Sequence, residues 1–370
     1  MKVDVHGHFF SREYLERAVS LSTARPERDP YWRDHMNNRL LPDPAMWSLE
    51  GRVEKLDEEG VDFQVLSMVG PMVYFDDAKA AAEMARISND AIADACSRHP
   101  RRFGGLACLP LTAGVDASLA ELRRSLEDSG LWGITVGANV AGRTLDDPVF
   151  WPVYEELNRL RLPALIHPMV SAGVEMLGDF FLISAVGFMF DTTAAVARLL
   201  FKGVLERFPE IRFIIPHMGA TVPYLAGRWE SAYSRGGPAQ EQISHPPSYY
   251  LKRLHYDCLG FQPASLRCAQ EVIGCGRFLF GTDFPFHKSM KPAMRLIEAM
   301  EWTPEEKEAV FHRTAKGLFP KLPAPKTDDG EGKVQEDRGT PEPGEVGHIQ
   351  RISRTPHLLK DASASADLSR

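Results

Sequence analysis

Two imidazoles stand two residues apart in Val3-Asp4-Val5-His6-Gly7-His8-Phe9, inside a run that reads as a strand. Side chains at i and i+2 of a strand leave on the same side, so both rings can face one metal ion. Three later segments share the form of an apolar strand ending in a ligand-type residue: Leu165-Ile166-His167-Pro168, Ile214-Ile215-Pro216-His217-Met218-Gly219 and Phe280-Gly281-Thr282-Asp283. A histidine pair alone carries little weight in a chain with 12 histidines, whereas four strand ends of one design point to a divalent-metal site. Zinc accepts imidazole nitrogen and carboxylate oxygen, and a catalytic site keeps a position open for water or substrate. His6, His8, His167 and Asp283 form such a set, and mixed nitrogen and oxygen donors also tolerate manganese. Some two-metal sites use a carboxylated lysine at the end of a fourth strand. Here that end, Gly133-Ile134-Thr135-Val136-Gly137-Ala138-Asn139, has none, so one ion per subunit is expected. His217 is then free to take and return a proton.

These strand ends need a frame that gathers them. Eight runs of strand character occur near residues 3–5, 63–68, 103–109, 133–136, 164–166, 212–215, 254–257 and 277–280, with helical patterns between most of them. The clearest helices are 78–99, stopped by Pro100; 116–129, ending before Gly130; and 192–208, which Asp191 can cap and Pro209 ends. Strands alternating with helices imply a parallel sheet with right-handed crossovers. Eight such units over residues 1–320 fit a (β/α)8 TIM barrel, an α/β fold whose chemistry gathers at the carboxyl ends of the strands. A doubly wound open sheet is the competing architecture, but no G-x-G-x-x-G opens a helix after the first strand. The insertion 11–46 after strand one, rich in Arg, Asp, Asn and Pro, reads as a loop or small cover over the barrel mouth. The Pro-, Gly- and charge-rich stretch 323–370 reads as a disordered tail, because it has too little apolar surface to offset its ordering entropy.

Composition narrows the function. The net charge of -7 arises from mixed acids and bases without a basic stripe, which argues against nucleic acid as partner. The five cysteines Cys96, Cys108, Cys258, Cys268 and Cys275 lie in or beside apolar segments without a C-x-x-C pair, the pattern of buried free thiols in a reducing, cytoplasmic setting. No signal-peptide pattern opens the chain. The longest apolar run, Phe180 to Phe190, falls short of the roughly 20 residues a membrane span needs, so it is expected to wall a pocket or a subunit interface rather than cross a membrane.

Beyond the metal motifs, the chain contains Arg52-Val53-Glu54-Lys55-Leu56-Asp57-Glu58-Glu59-Gly60-Val61, His99-Pro100-Arg101-Arg102-Phe103, Phe208-Pro209-Glu210-Ile211, His217-Met218-Gly219-Ala220 and Gly227-Arg228. With these motifs the chain resembles the 2-amino-3-carboxymuconate-6-semialdehyde decarboxylase family of the amidohydrolase superfamily, over residues 1 to about 320. The resemblance implies a zinc-dependent, homodimeric, non-oxidative decarboxylase acting on a conjugated or aromatic carboxylic acid. It matches His6, His8, His167 and Asp283 to the metal ligands and His217 to the acid/base. It matches Arg52 to a substrate-carboxylate binder, and Arg228 to an arginine given to the neighbouring subunit's site. Met218 and Ala220 depart from the pattern, standing where glycines are expected, and Thr314 stands in place of an asparagine. Phe9, Met72, Met169, Phe190, Phe284 and Phe286 are the candidate apolar walls. The rival readings are a metal-dependent hydrolase or hydratase and, more remotely, an inactive barrel used as a binding protein.

Overall fold

A computed structural model of the chain describes residues 1–23, 30–170 and 174–325. Contacts divide the chain into Met1–Lys326 and Thr327–Arg370, and the expected disordered tail lies almost wholly outside the described residues. The first unit is built on eight parallel strand positions: β1 Val3–His8, β2 Phe63–Ser67, β3 Phe103–Gly105 with its continuation Ala107–Cys108, β4 Ile134–Gly137, β5 Pro163–His167, β6 Arg212–Ile215, β7 His255–Asp257 and β8 Phe278–Leu279. Hydrogen bonding follows chain order from β1 to β3, and from the continuation of β3 to β8. The ring closes where the Val5 N–H donates to Phe280 O at 2.9 Å and Gly7 bridges Phe284 in parallel.

The strands are buried along nearly their whole length because both faces are covered, as parallel barrel strands require. Val5, Val65, Leu106, Leu165, Ile214 and Leu279 share one apolar cluster with Leu318 and Phe319 of the final helical segment. A second cluster packs Ile166, Phe213 and Ile215 against Leu199 and Leu200 of the surrounding helices. Helices occupy Ala78–Arg98, whose amino terminus Asp77 caps through the Ala80 N–H, and Val115–Glu127.

Three expectations need correction. The insertion 11–46 is largely helical in its described part, with Arg12–Thr23, Pro30–His35 and a π-helical turn Met36–Leu40; residues 24–29 lie outside the described residues. Its apolar positions are filled by Tyr14, Leu15, Ala18, Met36 and Leu40, which build a satellite core with Met68 and Val73. The helix expected over 192–208 starts earlier and breaks, running Phe188–Phe201 and then Val204–Arg207, because Gly203 takes φ +77° between them. Asp191 therefore lies inside a helix and caps nothing. With the π-helical turn before it, this helix runs unbroken over Ile183–Phe201, 19 residues long and apolar enough by length and composition to cross a bilayer. Val196, Leu199 and Leu200 bury one side of it against the barrel. The cysteines are unpaired; Cys108 and Cys258 are buried, but Cys268 is exposed.

Candidate metal centre and active site

The histidine pair is turned into place by an irregularity in β1. Asp4 lies opposite Gln64, yet Gly7 lies opposite Leu66, so β1 advances three residues while β2 advances two. Such an extra residue bends a strand and re-aims its side chains. Gly7 is required there, since a Cβ would fall 2.4 Å from the side chain of Gln64. That glutamine cannot swing away, because its amide donates to Asp4 at 2.7 Å and accepts from Arg52 at 3.0 Å. The buried Asp4 carboxylate also accepts from the Thr282 hydroxyl and N–H and from the His6 N–H, tying β1 to the segment after β8.

One nitrogen or oxygen each from His6, His8, His167 and Asp283 lies within 4.8 Å of the others. His8 Nε2 is 2.7 Å and His6 Nε2 3.6 Å from Asp283 Oδ1. The other ring nitrogens are engaged outward: His6 Nδ1 with Asp257 Oδ2 at 2.6 Å, His8 Nδ1 with the Ser67 hydroxyl at 3.3 Å, and His167 Nδ1 with Pro168 O at 3.0 Å. His6 Nε2 and His167 Nε2 are buried without a hydrogen-bond partner, a costly state unless something else satisfies them. Burial holds His8 down to about 4 and His167 well below the usual imidazole range, leaving both rings neutral. Burial opposes charge on His6 as well, but the hydrogen bond and charge of Asp257 outweigh it and raise that group. Burial likewise acts against the Asp283 carboxylate, and the nearby His217 imidazole together with the His8 hydrogen bond overcomes it, holding the acid well below its usual value. Three imidazole nitrogens and an ionised carboxylate facing one point are the donor set a divalent transition metal takes, so these four residues fit such an ion. Sequence reasoning missed Asp257. Its position in a His-Tyr-Asp strand end was the available signal, and it orients His6 as carboxylates commonly orient metal-bound histidines.

His217 lies beside this cluster, its Nε2 3.9 Å from Asp283 Oδ2 and its ring 5.3 Å from that of His6. The turn that carries it is strained: His217, Met218 and Ala220 all have φ near +56°. The two positions where glycines were expected thus keep the left-handed backbone that glycine adopts freely. Strain of this kind persists where the surroundings over-determine it, commonly at functional sites.

A cavity of about 970 Å³ opens over the cluster, lined by His167, His217 and Asp283 at its floor. Its walls include Tyr31, Trp32, His35 and Arg39 of the insertion, Phe181 and Phe188 after β5, Phe261 after β7 and Phe286 after β8. Burial, then the charge of Arg39, holds His35 down to about 4. Arg39, the one arginine lining this cavity among the described residues, sits 5.1 Å over the Phe181 ring.

The structure places the expected substrate contacts differently. Arg52 does not line the cavity; it is 2 % exposed and donates to Gln64 Oε1 at 3.0 Å, His8 O at 2.8 Å and Ala45 O at 2.7 Å. Phe9 and Phe284 stack on its guanidinium at 5.5 and 5.1 Å instead of facing the cavity. Met72 and Met169 are buried behind Trp32. Phe190, 57 % exposed, is absent from the cavity lining, and Arg228 is exposed on the helix Val222–Ser234. Of the named walls only Phe286 lines the space. Asp191 accepts from the Met169 N–H at 2.7 Å and from Asn139, pinning the segment that follows His167.

The sequence profile of the amidohydrolase family matches residues 3–321. A 2-amino-3-carboxymuconate-6-semialdehyde decarboxylase of Dictyostelium discoideum is 32 % identical over 70 % of this chain and 72 % of its own. A gamma-resorcylate decarboxylase of Rhizobium radiobacter is 29 % identical over 77 % of this chain and 88 % of its own. Among solved structures, a 5-carboxyvanillate decarboxylase of Novosphingobium aromaticivorans, complexed with manganese and 4-hydroxy-3-methoxy-5-nitrobenzoic acid, superposes with a TM-score of 0.79 at 23 % identity, covering 86 % of this chain and 96 % of that one.

Proposed function

The chain belongs to the amidohydrolase family, and from that premise we propose that it is a metal-dependent carboxy-lyase releasing carbon dioxide, without oxidation, from a conjugated or aromatic acid. The observation that carries the reading is the convergence of His6, His8, His167 and Asp283 beneath an aromatic-walled cavity that Arg39 and His217 also line. The decarboxylases to which the chain is similar support the reaction class.

A divalent ion held by these four residues would supply a Lewis-acid centre that draws charge from a substrate oxygen. The aromatic walls take the planar ring, and Arg39 is placed to pair with an anionic substituent through its planar fork. His217 gives a proton to the carbon bearing the carboxylate. The bond from that carbon to the carboxylate then breaks, carbon dioxide leaves, and the electron pair returns to the conjugated system. Arg52, Asp257 and Asp4 hold the backbone and the His6 ring that this geometry needs.

Three imidazoles and one carboxylate suit zinc, the ion we propose, while the carboxyvanillate relative carries manganese. The protein acts as a homodimer in this reading, with the exposed Phe190, Tyr224 and Arg228 on its contact face, and its unpaired cysteines suit the cytoplasm. Incubation of the purified protein with carboxymuconate-like and hydroxybenzoate-like acids tests the activity. Carbon dioxide release that is lost on chelation and restored by zinc is the expected result; ring opening or hydration without it overturns the proposal.

A further inference from the structure

At the opposite end of the barrel from the metal centre, a second cleft of about 560 Å³ opens where β6, β7 and β8 begin. Arg212 opens β6, Arg253 and His255 stand at the entry to β7, and Arg277 immediately precedes β8. These three arginines are half-buried, and none has a carboxylate within ion-pairing distance among the described residues. Arg212 donates to Gly317 O at 2.6 Å, and Arg253 to Pro209 O at 3.2 Å and the Tyr249 hydroxyl at 3.4 Å. Arg277 reaches only His255 Nε2, at 3.4 Å. The one acid lining the cleft among the described residues, Glu210, is drawn off by Arg161 at 3.1 Å.

Each guanidinium has five N–H donors, so most of the donor capacity of the three is unspent. Burial, then the charges of Arg277 and Arg212, holds His255 down to about 4. The imidazole is therefore neutral at physiological pH, and its accepting nitrogen faces Arg277. Like charges gathered in a half-buried cleft repel one another, and an anion with several oxygens would satisfy their forks and relieve that repulsion.

We propose that this cleft binds a phosphoryl group, free or carried by a small metabolite, through Arg212, Arg253 and Arg277. The site is separate from the proposed reaction and does not depend on it. Calorimetric titration of the full-length, metal-loaded protein at low ionic strength, with inorganic phosphate in one arm and glucose 6-phosphate in another, tests it. One saturable site per chain is expected, weakened at least tenfold in Arg212→Gln and in Arg277→Gln, with melting temperature and turnover unchanged. Tighter binding of the sugar phosphate identifies a phosphorylated metabolite as the ligand, and equal binding identifies the free anion. Should either variant fold poorly, Arg253→Gln carries the same expectation. Absence of saturable binding in both arms, or binding that these substitutions leave untouched, overturns the proposal.

Discussion

At the scale of single residues, the site separates groups that line the cavity from groups buried beneath it that hold others in place. For His217→Ala the expected outcome is a metal content equal to the parent protein and turnover reduced about 10² to 10⁴-fold, the usual contribution of a positioned acid or base. Loss of the metal would instead make His217 a ligand. The two arginines are expected to behave in opposite ways. Arg39 lines the cavity with a fork that no acid pairs among the described residues, so Arg39→Ala should raise KM about 10 to 100-fold with little loss of stability, the worth of a charged hydrogen bond. Arg52 is sealed beneath the site, and burial pushes its guanidinium down to about 10 against the pull of Asp4 and Asp43. Arg52→Ala should cost about 2–4 kcal/mol in a urea titration, because the Gln64 and His8 acceptors are left buried and unpaired. An unchanged melting curve together with a large KM effect would return Arg52 to the role the sequence suggested. Both arginines are of the same type and belong to the same region of chain. The sequence could announce a carboxylate-binding arginine but could not say which of them faces the cavity.

At the scale of elements, the strand ends were legible and the covering elements less so. Strand periodicity depends on neighbours two residues apart, so the ligand-bearing ends of β1, β5 and the segment after β8 are readable locally. The cover over the mouth is not, because Tyr14, Leu15, Met36 and Leu40 acquire their helical pattern from packing on Met68 and Val73, far along the chain. Asp191 was misread for a similar reason: a short acid before a helical run looks like a cap until its partners, the Met169 N–H and Asn139, are known. One join between elements carries a pH prediction. Glu59, at the end of the helix Arg52–Glu59, accepts from Lys55, the Ser289 hydroxyl and the N–H groups of Met290 and Lys291. Burial works against its charge, but these bonds win and hold it at about 2, below its ordinary 4.5. A depressed acid contributes stability that is fully present above pH 4.5 and disappears as pH falls toward 2, here on the order of 3 kcal/mol at most. Urea midpoints across that window should therefore fall less steeply for Glu59→Gln than for the parent protein, and parallel slopes would exclude this join as an acid-sensitive contact.

At the scale of the whole molecule, the barrel brings residues more than 270 positions apart to one point, as the 2.7 Å contact between His8 and Asp283 shows. The exposed Phe190, Tyr224 and Arg228 lie on two helices outside that barrel. If Arg228 completes a neighbour's site, Arg228→Ala and His217→Ala should each be inactive alone, yet mixed dimers should regain about a quarter to a half of activity, since one of their two sites is then intact. Mixed samples no more active than either parent would place Arg228 outside the partner's site. The sequence by itself determined the eight-strand alternation, the donor types and their places at strand ends, because hydrophobic period and chain order are local properties. Only the tertiary structure decided that β1 carries an extra residue that turns His6 and His8 inward, that Asp257 orients His6, and that Arg39 rather than Arg52 enters the cavity. Those outcomes depend on how side chains distant in sequence share space once the ring closes, and no local pattern encodes that sharing.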